Sequence, residues 1–144
     1  MADTFVFEIV TPARPMMSKD VDLVVIPGGG GNFGVLPGHS HMLSTLRPGT
    51  IEIRDKNLKV LDQIFVEGGF AEVTPERCTV LAEEALPVRE ITRDDAEARL
   101  KRAHDALMVA DTFGVRITAE RDLRAAEAMV EAVEQYEKDS LRQS

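Results

Sequence analysis

Apolar and polar positions alternate with a period of two up to Pro87 and recur at a helical spacing after it, so the chain changes structural class there. Phe5, Phe7 and Ile9 alternate with Val6 and Glu8. Val21, Leu23 and Val25 alternate with Asp22 and Val24, and Ile51 and Ile53 flank Glu52. Leu58–Glu67 and Ala71–Val73 read as strands parted by Gly68-Gly69. Cys78–Leu81 closes the set after a turn at Thr74-Pro75-Glu76-Arg77. Many short strands separated by turns predict an all-β sandwich or flattened barrel, closed enough to hide its edges. The pattern leaves the strand order open.

After the change the spacing predicts two helices. Ala96, Leu100, Ala103, Leu107 and Ala110 fall 4-3-4-3 apart, and Leu123, Ala126, Val130 and Val133 fall 3-4-3 apart. Thr92, three before Asp95, suits a capping box with Asp in place of Glu, and Thr118 offers an N-cap hydroxyl. Asp111-Thr112-Phe113-Gly114 interrupts the pattern, with Gly114 suited to a left-handed C-terminal position. The expectation is an antiparallel hairpin with helices at about 92–110 and 118–139. The turn formers agree: all 7 prolines and nine of the 10 glycines lie at or before Pro87. The fold class is therefore α+β, with a sandwich over 1–88 and a helical hairpin over 89–144. Alanine seams bury little apolar area, so such a pair is marginal alone and must dock or exchange between states.

Charge narrows the choice of partner. The formal net charge of −8 argues against nucleic-acid binding and against adhesion to anionic lipid. The longest apolar runs, such as Leu23–Ile26, are too short to cross a bilayer, so no membrane insertion is expected. Met1-Ala2-Asp3-Thr4 lacks a signal-peptide pattern, and the lone Cys78 points to a reducing, cytoplasmic setting.

Candidate chemistry is sparse. Gly29-Gly30-Gly31-Asn32-Phe33-Gly34 fits G-x-G-x-x-G, but Pro37-Gly38 prevents the helix that would receive a pyrophosphate. His39-Ser40-His41 offers two imidazoles, with His104 distant, and a zinc site wants three or four ligands; no metal is expected. Cys78 has no assignable base and reads as structural. Glu83-Glu84 and Asp94-Asp95 are adjacent in sequence, so their side chains diverge and make no acid/base dyad. No catalytic residue and no cofactor is assigned. Phe33, Val35, Leu36, Met42, Leu43 and Leu46 leave two readings open, strand core or an exposed partner surface.

The run Phe33-Gly34-Val35-Leu36-Pro37-Gly38-His39-Ser40-His41-Met42-Leu43 resembles the signature of the epsilon subunit of bacterial F-type ATP synthases, counterpart of the mitochondrial delta subunit. Arg47-Pro48-Gly49, Glu67-Gly68-Gly69-Phe70-Ala71-Glu72-Val73 and Thr79-Val80-Leu81-Ala82-Glu83-Glu84-Ala85 follow in the family's order, ahead of an Ala-rich charged hairpin. The resemblance spans the chain. It implies a non-catalytic central-stalk rotor subunit, whose sandwich binds the gamma subunit and the c-ring and helps couple proton-driven rotation to ATP synthesis. It places the chain on the cytoplasmic face of the bacterial inner membrane as a peripheral part of the complex. The implied contact residues are Asn32, Phe33, Pro37, Gly38, His39, Met42 and Leu43. Family members often carry an acid where Asn32 stands, and Ser40-His41 replaces the commoner Ala-Pro. The hairpin is implied to be regulatory, reaching the alpha and beta subunits if it extends. The family's nucleotide motif is degenerate here: across Ile91, Thr92, Asp95 and Ala96, Thr92 stands in for Asp and Asp95 for Arg, so weak or no ATP binding is expected. The alternatives are a small metal-dependent enzyme using His39 and His41, and a coiled-coil adaptor.

Overall fold

The computed structural model describes residues 3–13 and 15–143. Ten strands come first: β1 (Phe5–Val10), β2 (Pro15–Val21), β3 (Leu23–Gly28), β4 (Gly31–Val35), β5 (Met42–Leu46), β6 (Gly49–Arg54), β7 (Val60–Val66), β8 (Gly69–Val73), β9 (Arg77–Leu81) and β10 (Ala85–Pro87). A 3-10 turn at Val88–Glu90 leads to α1 (Arg93–Met108) and α2 (Phe113–Gln143). The chain divides into two compact units between Pro87 and Val88.

The strands form one sheet in the order β10-β7-β6-β3-β5-β8-β9-β1-β2, with β4 on the free side of β3. Only β1 and β9 pair in parallel among these strands. The sheet folds over where β3 hands from β6 to β5. Leu23–Val25 pair with β6, whereas Gly28 pairs with Leu46 of β5. Two layers result, and their inward residues make one core. Val24, Ile26, Val35, Ile51, Ile53, Ile64 and Val66 come from one side; Phe5, Phe7, Ile9, Leu46, Ala71, Val73, Cys78 and Val80 come from the other. Lys19 of β2 and Asp62 of β7 approach to 4.0 Å, which brings the ends of the strand order together. The sandwich followed by a helical region is the expected class of fold.

Alternation fixes most of these positions, and three departures have local causes. Val21 is buried, but Leu23 and Val25 are not; Val24 and Ile26 point inward instead. A bend at Asp22 inverts the phase as the chain passes between layers. Leu58 lies in a turn instead of a strand. Its φ is +66°, and Asp55 Oδ1 accepts from the backbone N–H groups of Asn57 and Lys59, holding the chain there. The glycine run is the turn of a β3–β4 hairpin, so Asn32 and Phe33 belong to a strand.

In the helical unit Thr92 caps α1, its hydroxyl accepting from Asp95 N–H at 3.0 Å. The second helix begins five residues before the expected position. Thr112 accepts from Val115 N–H at 3.2 Å and is the N-terminal cap, so Thr118 lies inside α2. Gly114 falls in the first turn of α2 and does not have the left-handed conformation expected of a C-terminal cap. Arg93, at the start of α1, meets Glu134 and Glu137, near the end of α2, at 3.6 and 2.7 Å, so the helices run antiparallel. Ala96, Ala103, Ala119, Ala125, Ala126, Met129 and Val133 are buried, which adds Ala119, Ala125 and Met129 to the expected seam, while Leu100, Leu107, Ala110, Leu123 and Val130 of that seam are half-buried.

Candidate docking surface

The stretch from Asn32 to Leu43 runs down β4, turns, and returns along β5, so residues close in sequence separate into two groups. Asn32 and Phe33 lie at the hairpin tip. Gly29 N–H donates to Thr45 O at 2.8 Å and Arg47 N–H donates to Pro27 O at 3.0 Å, so the tip lies against the far end of β5. The Phe33 ring covers the backbone of Gly28, where a Cβ would come within 2.8 Å of it, and Phe33 packs on the core. Arg47 reaches back into the same hairpin: Nη1 donates to Gly28 O at 2.6 Å and Nη2 donates to Asn32 Oδ1.

Pro37, Gly38 and His39 lie at the opposite end of β5. His39 N–H donates to Leu36 O at 3.1 Å across a turn with Pro37 second and Gly38 third. Gly38 has φ +83°, which is the type II arrangement and favours glycine at that place. Its N–H donates to Pro75 O at 2.9 Å, pinning this turn to the one before β9. The His39 ring donates through Nδ1 to the adjacent Ser40 carbonyl at 2.7 Å. The two groups are separated by the length of β5, on the order of 13 Å at about 3.3 Å per residue.

The six apolar residues left ambiguous by the sequence divide three ways. Val35 and Leu46 are core, Phe33 and Met42 are half-buried against it, and Leu36 and Leu43 are exposed. Leu43 is 71% exposed, and it does not stand alone. On the outward face of the same layer Thr45 pairs with Phe70, Phe70 with Leu81, and Leu81 with Val10. Leu43, two residues from Thr45, is the diagonal neighbour of Phe70. Phe70 and Leu81 are each 52% exposed, and with Val10 and Pro12 they line an apolar depression of about 400 Å³. The result is an apolar band across four strands, bordered by the hairpin tip beside Thr45. Sequence reading missed Phe70, Leu81 and Val10. The available signal was phase: Phe70 and Leu81 alternate with the inward residues Ala71 and Val80 and so had to face out.

Beside the band the face is polar. Glu8 accepts from Thr79 Oγ1 at 2.8 Å and pairs with Arg77 at 2.8 Å. The Thr79 bond first, then Arg77, holds the Glu8 carboxyl below its ordinary value. Cys78 is wholly buried, and burial pushes its thiol up to about 12, so it stays protonated at neutral pH. Among the described residues no three His, Cys, Asp or Glu side chains are grouped to hold a metal.

In the helical unit, Thr92 spends its hydroxyl as a cap, Ala96 is buried, and Asp95 is exposed. Ile91 N–H donates to Val88 O at 3.0 Å in the entry turn. At the other end of the hairpin Met108 and Phe113 are 84% and 82% exposed, with Val109, Val115 and Ile117 close in sequence and also exposed.

A β-sandwich with an apolar outer band, a polar glycine-built tip and an appended helical hairpin defines a docking subunit. Comparison with known proteins gives the family. Residues 4–88 match the ATP synthase delta/epsilon chain β-sandwich domain. The chain is 50% identical to the ATP synthase epsilon chain of Paramagnetospirillum magneticum, over 92% of this chain and 99% of that one. It is 48% identical to the epsilon chain of Granulibacter bethesdensis, over 87% and 93%. A chain in the cryo-EM structure of Euglena gracilis mitochondrial ATP synthase, OSCP/F1/c-ring, superposes with a TM-score of 0.77 at 26% identity, covering 92% of this chain and 83% of that one. A chain of the Tetrahymena thermophila central stalk and c-ring shares the fold, with a TM-score of 0.64 at 15% identity. The chain belongs to the delta/epsilon family of ATP synthase subunits. It is a non-catalytic subunit of that complex, and a stand-alone enzyme built on His39 and His41 is not favoured.

Proposed function

We propose that this chain is the rotor subunit that joins the central stalk to the c-ring. The apolar band receives the gamma subunit, and the tip at Asn32 meets the ring. The supporting observation is the chemical contrast between neighbouring surfaces. Leu43, Phe70, Leu81 and Val10 form an apolar strip of the kind a stable protein partner covers, while Gly29–Asn32 present backbone and amide groups suited to polar loops. Assembly with those partners places the chain at the cytoplasmic face of the bacterial inner membrane without inserting into it; no helix among the described residues is long and apolar enough to cross. Residues 1–88 are the attachment domain in this reading and 89–144 the regulatory one.

The helical unit modulates ATP hydrolysis by extending toward the alpha and beta subunits, with the exposed Met108–Ile117 group as its leading apolar surface. It binds ATP weakly or not at all, because Thr92 is occupied as a cap and Asp95 adds negative charge where a phosphate would sit. The test is Leu43→Asp in the full chain. Leu43 is exposed, so the substitution should change stability by no more than about 0.5 kcal/mol while weakening assembly with gamma and c-ring by at least about tenfold. Unchanged affinity would remove the band from the interface.

A further inference from the structure

We propose that Arg47 is the positioning residue of the contact hairpin: it braces the β3–β4 tip from the β5–β6 connection and sets the presentation of Asn32. The proposal rests on the reading above, in which that tip meets the partner. A turn of Gly29-Gly30 has little intrinsic stiffness, since glycine has the largest conformational freedom of any residue. Three bonds from one residue restrain it. Arg47 N–H donates to Pro27 O at 3.0 Å on one strand, Nη1 donates to Gly28 O at 2.6 Å at the strand end, and Nη2 donates to Asn32 Oδ1 on the returning strand. One planar guanidinium therefore spans both sides of the turn, which a single-point ammonium cannot reproduce. Pro48 follows directly and confines the backbone of Arg47 to extended conformations, so the brace starts from a restricted base. Asn32, read from the sequence as a contact group, has its side-chain oxygen committed inside the protein. Its NH2 group is the end left for a partner, oriented by Arg47.

The experiment compares Arg47→Ala and Arg47→Lys in the full chain by amide hydrogen exchange across residues 29–33, thermal unfolding, and affinity for the gamma–c-ring assembly. Arg47→Ala should raise exchange at the tip by at least about tenfold while core amides of β1 and β6 keep their protection. Affinity should fall by a similar factor. Arg47→Lys, retaining one donor at a time, should recover part of both effects. Unchanged exchange at the tip in Arg47→Ala would overturn the brace, whatever the affinity does. Faster exchange with unchanged affinity would confirm the brace and overturn the assignment of the tip as a contact.

Discussion

Glu8 and Thr79, separated by 71 positions in sequence, stand opposite each other in the parallel β1–β9 pair, with Thr79 Oγ1 donating to Glu8 Oε1 at 2.8 Å. The bond ties the first strand of the sandwich to its ninth. A lowered native carboxyl pKa adds stability that is complete above the unfolded value and is lost as pH falls through the native one. Thr79→Val removes the largest cause of that lowering without changing shape. The cost should be about 0.5–1.5 kcal/mol at neutral pH and smaller in acid, below the ordinary carboxylate range. Urea titrations of both proteins at neutral and acid pH check this.

Gly69 begins β8 with φ +129°, and a Cβ there would lie 2.0 Å from the Leu81 carbonyl oxygen. That oxygen belongs to the backbone of the paired strand β9, which cannot rotate away as a side chain would. Gly69→Ala should therefore cost roughly 3–5 kcal/mol, combining steric overlap with backbone strain. Thermal unfolding measures it, and a loss below about 1 kcal/mol would show that the β8–β9 corner adjusts.

Among the described residues the buried sandwich core runs from Phe5 to Ala82, with Ala85 packed against it. Residues 1–87 expressed without the helices should unfold in one cooperative transition and keep the far-ultraviolet dichroism of a β protein. A non-cooperative melt would show that the helical unit is needed for the fold.

Arg93 faces three carboxylates, Glu97 at 3.5 Å, Glu134 at 3.6 Å and Glu137 at 2.7 Å, across the open end of the hairpin. Its removal leaves like charges facing each other between helices whose buried seam is mostly alanine. Arg93→Ala should speed amide exchange at the start of α1 and the end of α2. About 1 M salt should bring the parent chain toward the variant, because the groups are exposed and screened. Equal exchange in both proteins at low salt would count against a clasp.

Class and phase were legible where one face of an element is core. The inward sets Phe5/Phe7/Ile9 and Ile51/Ile53 needed only the period, and the Pro37-Gly38 turn needed only its residues. Legibility failed where a neighbour decides. The bend at Asp22 inverts an alternation that looks continuous in sequence. Thr112 and Thr118 are equally good caps until the length of the connection is known. The candidate contacts Asn32 to Leu43 looked like one loop because they are adjacent. They divide because β4 and β5 run in opposite directions, and Met42 turns inward while Leu43 turns outward. Phe70 and Leu81 joined the surface only through pairing register, which no single strand reveals.

Photo-crosslinking in the assembled complex tests the docking assignment most directly. With benzoylphenylalanine replacing Phe70, irradiation should give an adduct with the gamma subunit. The same group at Lys56, exposed in the β6–β7 turn near the other end of β3, should give none. No gamma adduct from position 70, or equal adducts from both positions, would contradict the apolar band as the attachment surface.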